Sequence, residues 1–351
     1  MKKSLLIPTL LTLSASPLIS LVGCKGDNKD PEPFKSDCLC LTALEDLDFW
    51  IQYDEWESPI ENPNVQYSVN GGDWQKYELI FTPHNDEGEY VHLSNGQKLY
   101  LKGNNPNGFS YDTTGLYSAE GRLFEFYVDG KIDVSGNIMS LIDDGQCKAT
   151  EIPSPGCFEG LFNAKESTDG VVHADQLILP DNSVNKYCYC NMFSSNNLLV
   201  STPKLNANVL ETGCYECMFY YCESLTQAPE LPAETLAEEC YDRMFFGSGL
   251  KQTPELPVET LANGCYNQMF FGCTSLTQVS QLPATTLAER CYQAMFQDCS
   301  SLKIHPSIGT KFFTCPTIIP ERAVDNMFTN TYGHPHEITP GPGSTYCWYE
   351  E

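Results

Sequence analysis

Leu231-Pro232-Ala233-Glu234-Thr235-Leu236-Ala237-Glu238-Glu239-Cys240-Tyr241-Asp242-Arg243-Met244-Phe245 is followed by Leu256-Pro257-Val258-Glu259-Thr260-Leu261-Ala262-Asn263-Gly264-Cys265-Tyr266-Asn267-Gln268-Met269-Phe270, and the stretch from Leu282 to Phe296 repeats the pattern a third time. Upstream, Cys214-Tyr215 with Met218-Phe219 and Cys188-Tyr189 with Met192-Phe193 carry the same ending. Cys157-Phe158 with Leu161-Phe162 and Ala323-Val324 with Met327-Phe328 are degenerate outer copies. The Met position (Leu in the first copy) falls at 161, 192, 218, 244, 269, 295 and 327, so the steps are 31, 26, 26, 25, 26 and 32. So regular a period marks a solenoid of about seven turns, and the longer outer steps mark terminal turns that must cover an apolar face with no neighbour.

Within one repeat, Leu236, Cys240, Tyr241, Met244 and Phe245 fall at i, i+4, i+5, i+8 and i+9. That is the apolar stripe of an amphipathic helix, with Glu238, Glu239, Asp242 and Arg243 on the solvated side. The spacing predicts a helix from Pro232 in its first turn to Gly247 as its left-handed cap. Leu225 with Ala228, and Leu276 with Val279, predict a short strand that pairs in parallel with its copy in the next turn. Cys157, Cys188, Cys214, Cys240, Cys265 and Cys291 hold one site in successive repeats, and Met192, Met218, Met244, Met269 and Met295 hold another. Such ladders are expected to pack in the core with their thiols reduced, because free cysteine behaves as a small buried hydrophobe. Cys222, Cys273 and Cys299 form a second thiol ladder, which Asn196 and Ser248 interrupt. Cys38, Cys40, Cys147, Cys315 and Cys347 lie outside both and are left as candidates for a bridge.

Phe219-x-x-Cys222-x-x-Leu225-x-x-Ala228 followed by Leu231-Pro232, and Phe270-x-x-Cys273-x-x-Leu276-x-x-Val279 followed by Leu282-Pro283, resemble the BspA-like leucine-rich-repeat surface proteins of Bacteroidetes. The match covers residues 157–328. This chain departs from the commoner family repeat in its longer period and in having Met-Phe where Ala-Phe is usual. The resemblance implies a surface lipoprotein that binds other molecules, and it names no ligand.

The rest of the chain divides in order. Residues 1–24 read as a lipoprotein signal peptide: Lys2 and Lys3, an apolar run from Leu5 to Ile19, then Leu21-Val22-Gly23-Cys24, whose cysteine is the expected lipidation site. Residues 25–36 are a polar flexible tether. Its Asp27 and Asp30 resemble a surface-export signal of such lipoproteins. Residues 37–156 read as a β-rich domain. Asn70-Gly71 between alternating runs predicts a hairpin, and Phe124 to Val128, Asp129-Gly130 and Ile132 to Val134 predict a second. Residues 329–351 form a tail with Pro340-Gly341-Pro342-Gly343, whose Tyr346, Trp348 and Tyr349 are expected to cap the last turn. The expected class is therefore α+β: an N-terminal β-sandwich-like domain, then a leucine-rich-repeat solenoid of short parallel strands and helices.

Composition narrows the function. The net charge is -26, with -15 on residues 25–156 and -10 on residues 157–328. Nucleic acid is excluded as a partner by charge, and anionic membrane is approached only through the expected lipid. No phosphate loop, HExxH or nucleophile elbow is present. Cys214-x-x-Cys217 is one pair without a second, His334-Pro335-His336 has no matching acid or thiol, and Ser68-x-Asn70-x-Gly72-x-Trp74 resembles a single sialidase Asp-box, itself a structural hairpin. No enzyme, cofactor or metal is expected. The expected function is adhesion to a protein or surface partner outside the outer membrane. The candidate contact residues follow each strand leucine: Thr226, Gln227, Lys251, Gln252, Thr277, Gln278 and Lys303. The alternative is glycan binding by the β-rich domain, with Trp50, Trp56, Trp74, Tyr77 and Tyr90 as stacking candidates.

Overall fold

A computed structural model describes residues 37–53, 63–79, 89–110, 124–180, 184–305, 309–332 and 339–349. The lipobox with Cys24, the tether, Trp56, His334 and His336 lie outside them. Alternating apolar residues build the first layer. β1 (Leu39–Ala43), β3 (Gln66–Val69), β4 (Gln75–Lys76), β6 (Lys98–Lys102), β8 (Lys131–Asn137) and β9 (Gly170–Ile178) form a six-stranded sheet in the order β4-β3-β6-β1-β8-β9. β2 (Leu47–Tyr53), β5 (Val91–Leu93) and β7 (Phe124–Val128) form a three-stranded sheet, β5-β2-β7. Leu39, Leu41, Leu99 and Leu101 from the first and Phe49, Ile51, Val91 and Phe126 from the second belong to one buried cluster. Tyr77 links the layers. Its ring meets Tyr67 of β3 at 6.2 Å and Phe49 of β2 at 6.1 Å, and its hydroxyl accepts the Ile51 N–H at 3.0 Å.

Asn70 and Gly71 both take positive φ, 50° and 74°, as a tight hairpin requires, and β3 pairs with β4. The second expected hairpin does not form. β7 pairs with β2 in one sheet, whereas β8 pairs with β1 and β9 in the other. Asp129-Gly130 is thus a corner between layers. Phe124, Phe126, Val128, Glu125 and Tyr127 are all buried, so β7 is covered on both faces.

The expected helices are absent: the only helical element among the described residues is a 3-10 helix at Ile138–Leu141, and the fold is all-β. Where a helix was expected, the chain winds as a spiral of turns with a left-handed residue at every fourth position. In one coil these are Gly213, Cys217 and Tyr221 (φ 59°, 53° and 54°), and two coils on they are Gly264, Gln268 and Gly272 (φ 59°, 52° and 70°). The backbone donors alternate. Cys214, Glu216, Met218 and Tyr220 each donate to the carbonyl three residues back, at 3.0–3.3 Å. Gly213, Tyr215, Cys217, Phe219 and Tyr221 each donate to the next coil, to Glu238, Cys240, Asp242, Met244 and Phe246, at 2.7–3.0 Å. Every donor in the run is thereby satisfied, five of the nine between coils. An α-helix satisfies its donors within itself and leaves none for such a ladder.

The remaining sides of each coil also stack in parallel, through single bridges such as Gln252↔Gln278, Val209↔Thr235 and Thr260↔Thr286 rather than full strands. Inside, rings pile in register. Phe162, Phe193, Phe219, Phe245, Phe270, Phe296 and Phe328 stack face to face with centroids 5.4–5.9 Å apart. Tyr189, Tyr215, Tyr241, Tyr266 and Tyr292 do the same at 5.8–5.9 Å. Edge-on rings end the phenylalanine pile: Phe126 meets Phe162 at 72° at one end, and Phe312 meets Phe328 at 85° at the other. Phe312 belongs to a three-stranded cap of β10 (Ile304–His305), β12 (Thr345–Trp348) and β11 (Thr310–Thr314), which also sets Tyr346 4.7 Å from Phe328. At the other end, β9 pairs in parallel with β8, and Val200 and Ala174 carry the hydrogen bonding on to the next coil. The six-stranded sheet and the coil stack are therefore one continuous hydrogen-bonded surface.

Candidate functional site

The ladder residues Cys157, Cys188, Cys214, Cys240, Cys265 and Cys291, and Met192, Met218, Met244, Met269 and Met295, are all fully buried. The second thiol ladder does more than fill space. Cys222, Cys273 and Cys299 donate to the carbonyls of Phe193, Phe245 and Phe270 at 3.0–3.2 Å. Asn196 meets the same need with its amide on the Phe162 carbonyl at 2.6 Å, while its oxygen accepts the Val171 N–H at 2.7 Å. A polar side chain can thus replace cysteine there without leaving a carbonyl bare.

The seven candidate contact residues come together on one side of the stack. Lys251 N–H donates to the Thr226 carbonyl at 3.4 Å, Thr277 and Gln278 N–H donate to the Lys251 carbonyl at 3.0 and 3.3 Å, and Gln252 bridges Gln278. Thr226, Gln227, Lys251, Gln252 and Thr277 are exposed, and Gln278 and Lys303 are half-buried. Lys303 sits over the Tyr332 ring at 5.0 Å. Ser224, Gly249, Ser275 and Ser301 precede the same leucines, so no carboxylate stands in these columns over four coils. Acids frame the strip instead: Glu230 and Glu255 on the side toward the next bend, and Asp175 at the β9 end, where it accepts from the Ser201 hydroxyl at 2.7 Å. A shallow groove of 330 Å³ runs along Thr226, Gln227, Lys251 and Gln252.

Of the stacking candidates among the described residues, Trp50 and Tyr90 come together. Tyr77 is in the core, and Trp74 lies under the Lys102 ammonium at 5.0 Å. Trp50 stacks on Tyr127 at 5.8 Å and meets Tyr90 at a 58° tilt.

Two features of the turn spiral escaped the sequence reading. Tyr220, Phe246 and Phe271 form an outward, half-buried ring column at 4.6–4.8 Å spacing, and Tyr221, 42% exposed, closes edge-on against it at 4.6 Å from Tyr220. Its signal was the aromatic after Met-Phe in three consecutive repeats. Beside it, Glu216 and Asp242 are buried, although Asp242 was expected on a solvated face. Burial pushes Glu216 up to about 8 and Asp242 to about 7, and each acid is surrounded by others. Arg243 offsets this, with Nη1 2.9 Å from Asp242 and 3.9 Å from Glu216, and Asn267 donates to Asp242 at 2.9 Å. Cys217, half of the Cys-x-x-Cys pair, sits here with its thiol pushed well up by burial and the neighbouring acids, which removes nucleophilic character.

Among the described residues no group of three or more His, Cys, Asp or Glu is placed to hold a metal ion, and no helix is long and apolar enough to cross a membrane. No protein-family model, no curated protein and no solved structure matches the chain.

Proposed function

We propose that this chain is a non-enzymatic binding protein, tethered by lipid on Cys24 outside the outer membrane, that presents its coil stack to a protein partner. The observation that carries the reading is the acid-free strip Thr226, Gln227, Lys251, Gln252, Thr277, Gln278 and Lys303 on a chain of net charge -26. Like-charge repulsion disfavours contact elsewhere on such a surface, and a polar, weakly basic strip admits a partner that is itself acidic. An extended rigid face is also how stacked repeats usually bind. The repeat motif resembling BspA-like surface proteins supports the same reading. The glycan alternative has less behind it: Tyr77 is buried in the core and Trp74 is covered by the Lys102 ammonium, which leaves Trp50 and Tyr90 as its adjoining candidates.

The test is a screen of the full chain against secreted proteins and against a glycan array, followed by variants of the strip. Lys251→Glu with Gln278→Glu is expected to abolish binding of the protein hit and leave the thermal midpoint unchanged. Glu238→Lys, away from the strip, is the matched control and should leave binding intact. Loss of binding in Tyr221→Ala with the strip pair unaffected would move the contact to the aromatic column, and hits confined to glycans would overturn the reading.

A further inference from the structure

Two of the cysteines left outside the ladders come together at the foot of the six-stranded sheet. Cys38 precedes β1, is fully buried and bridges Asn137 in parallel. Cys147 follows the 3-10 helix and is half-exposed. A rigid loop presents it. The Asp143 carboxylate accepts the N–H groups of Cys147, Lys148 and Ala149 at 2.9, 2.7 and 2.9 Å. Cys147 is held at φ 51°, a left-handed conformation that costs a non-glycine residue energy and persists only where the surroundings impose it. Its sulfur lies 3.5 Å from the carbonyl of Asp37, the residue before Cys38, and 3.7 Å from the carbonyl of Gly145, whose own α-carbon faces the Cys38 sulfur. Gly145 keeps the space open: a Cβ there would lie 3.2 Å from the Cys38 sulfur.

We propose that Cys38 and Cys147 are a disulfide-forming pair, oxidised by exchange with an external disulfide, and that the bond ties the entry of the β-rich domain to the loop leading into the coil stack. Access sets the order of steps: Cys147 is half-exposed and Cys38 fully buried, so the external disulfide meets Cys147 first, even though the Cys38 thiol beside it and burial push the Cys147 thiol up. The Cys147 thiolate attacks one sulfur of the external disulfide and releases the other as a thiolate. The Cys38 thiolate then attacks the Cys147 sulfur of the mixed disulfide and expels the second external thiolate. Two protein thiols lose two protons and two electrons, and one external disulfide becomes two thiols. Cys38 suits the second step. The adjacent Cys147 thiol and the nearby Lys102 ammonium favour its thiolate, although burial works against this. The ladder thiols of Cys188, Cys222, Cys265 and Cys299 are fully buried, so the same oxidant does not reach them.

The experiment treats the folded full chain with oxidised glutathione, blocks free thiols during unfolding with an alkylating reagent, and maps a non-reducing digest by mass spectrometry. The expected result is a cross-linked peptide pair containing Cys38 and Cys147, with two fewer alkylated cysteines than in the reduced chain. The variant Cys147→Ser, at a half-exposed site, should fold and show Cys38 alkylated. Alkylation of both Cys38 and Cys147 after oxidation, or a cross-link of either to Cys40 or to a ladder cysteine, would overturn the proposal.

Discussion

Gln268 separates a spiral of turns from a helix by a change of sign. It occupies the middle of the run from Gly264 to Gly272, and its φ is 52°. Replacing it by Gly or by Val removes the same side-chain bond, the one Arg243 Nε donates to Gln268 at 2.9 Å, so the difference between the two variants isolates the backbone. In the left-handed region a side chain costs about 1–2 kcal/mol, and a β-branched residue is worse placed than most. Glycine avoids that cost but enlarges the unfolded ensemble, which returns about 0.4–1 kcal/mol. Gln268→Gly should therefore be more stable than Gln268→Val by about 1 kcal/mol. In a helix the order reverses, because glycine is worse than valine by several tenths of a kcal/mol. Urea unfolding followed by tyrosine fluorescence gives both midpoints. A Val variant more stable than the Gly variant would refute the turn geometry.

Three further outcomes are expected. Met244→Ala, at a fully buried site, should cost about 2–5 kcal/mol in the same assay, and Arg243→Ala, which a solvated helix face would tolerate, should cost about 1–3 kcal/mol because it strips the charged partner from Asp242 and Glu216. Stability should fall as pH rises from about 4 to about 8: Glu216 and Asp242 carry folded values of about 8 and about 7 against ordinary values of 4.5 and 3.8, so the folded chain holds protons that the unfolded chain has released. Glu216→Gln with Asp242→Asn should flatten that slope, and an unchanged profile would show that the acids ionise freely. Cys24→Ala should move the chain from the membrane fraction to the soluble fraction on cell fractionation, and unchanged membrane retention would exclude lipid on Cys24 as its anchor.

The register of the stack could be read from the sequence, and its backbone could not. Cys240, Tyr241, Met244 and Phe245 named the core because side-chain burial follows the repeat whatever the backbone does. The period misled. Four residues at 100° each overshoot a helical turn by 40°, so apolar pairs at i, i+4 and i+8 drift only about 80° and stay within a helix stripe. The discriminating signs were Glu239 and Arg243 at i+3 and i+7, where a helix stripe would also be apolar, and Gly264 eight residues before Gly272 inside one supposed helix. Asp129-Gly130 misled for a different reason: a hairpin signal is local, and whether two strands pair or part into separate layers depends on what covers them. The strip from Thr226 to Lys303 was legible because it needed only the register. The burial of Asp242 was not, because placing it on a solvated face assumed a helix.

The central claim is that the coils are turns and parallel bridges with no α-helix, and far-ultraviolet circular dichroism of the full chain tests it most directly. The account predicts a spectrum dominated by β and turn structure, with helical signal no larger than the expected signal peptide can supply. A pronounced helical double minimum that survives removal of residues 1–24 would contradict it.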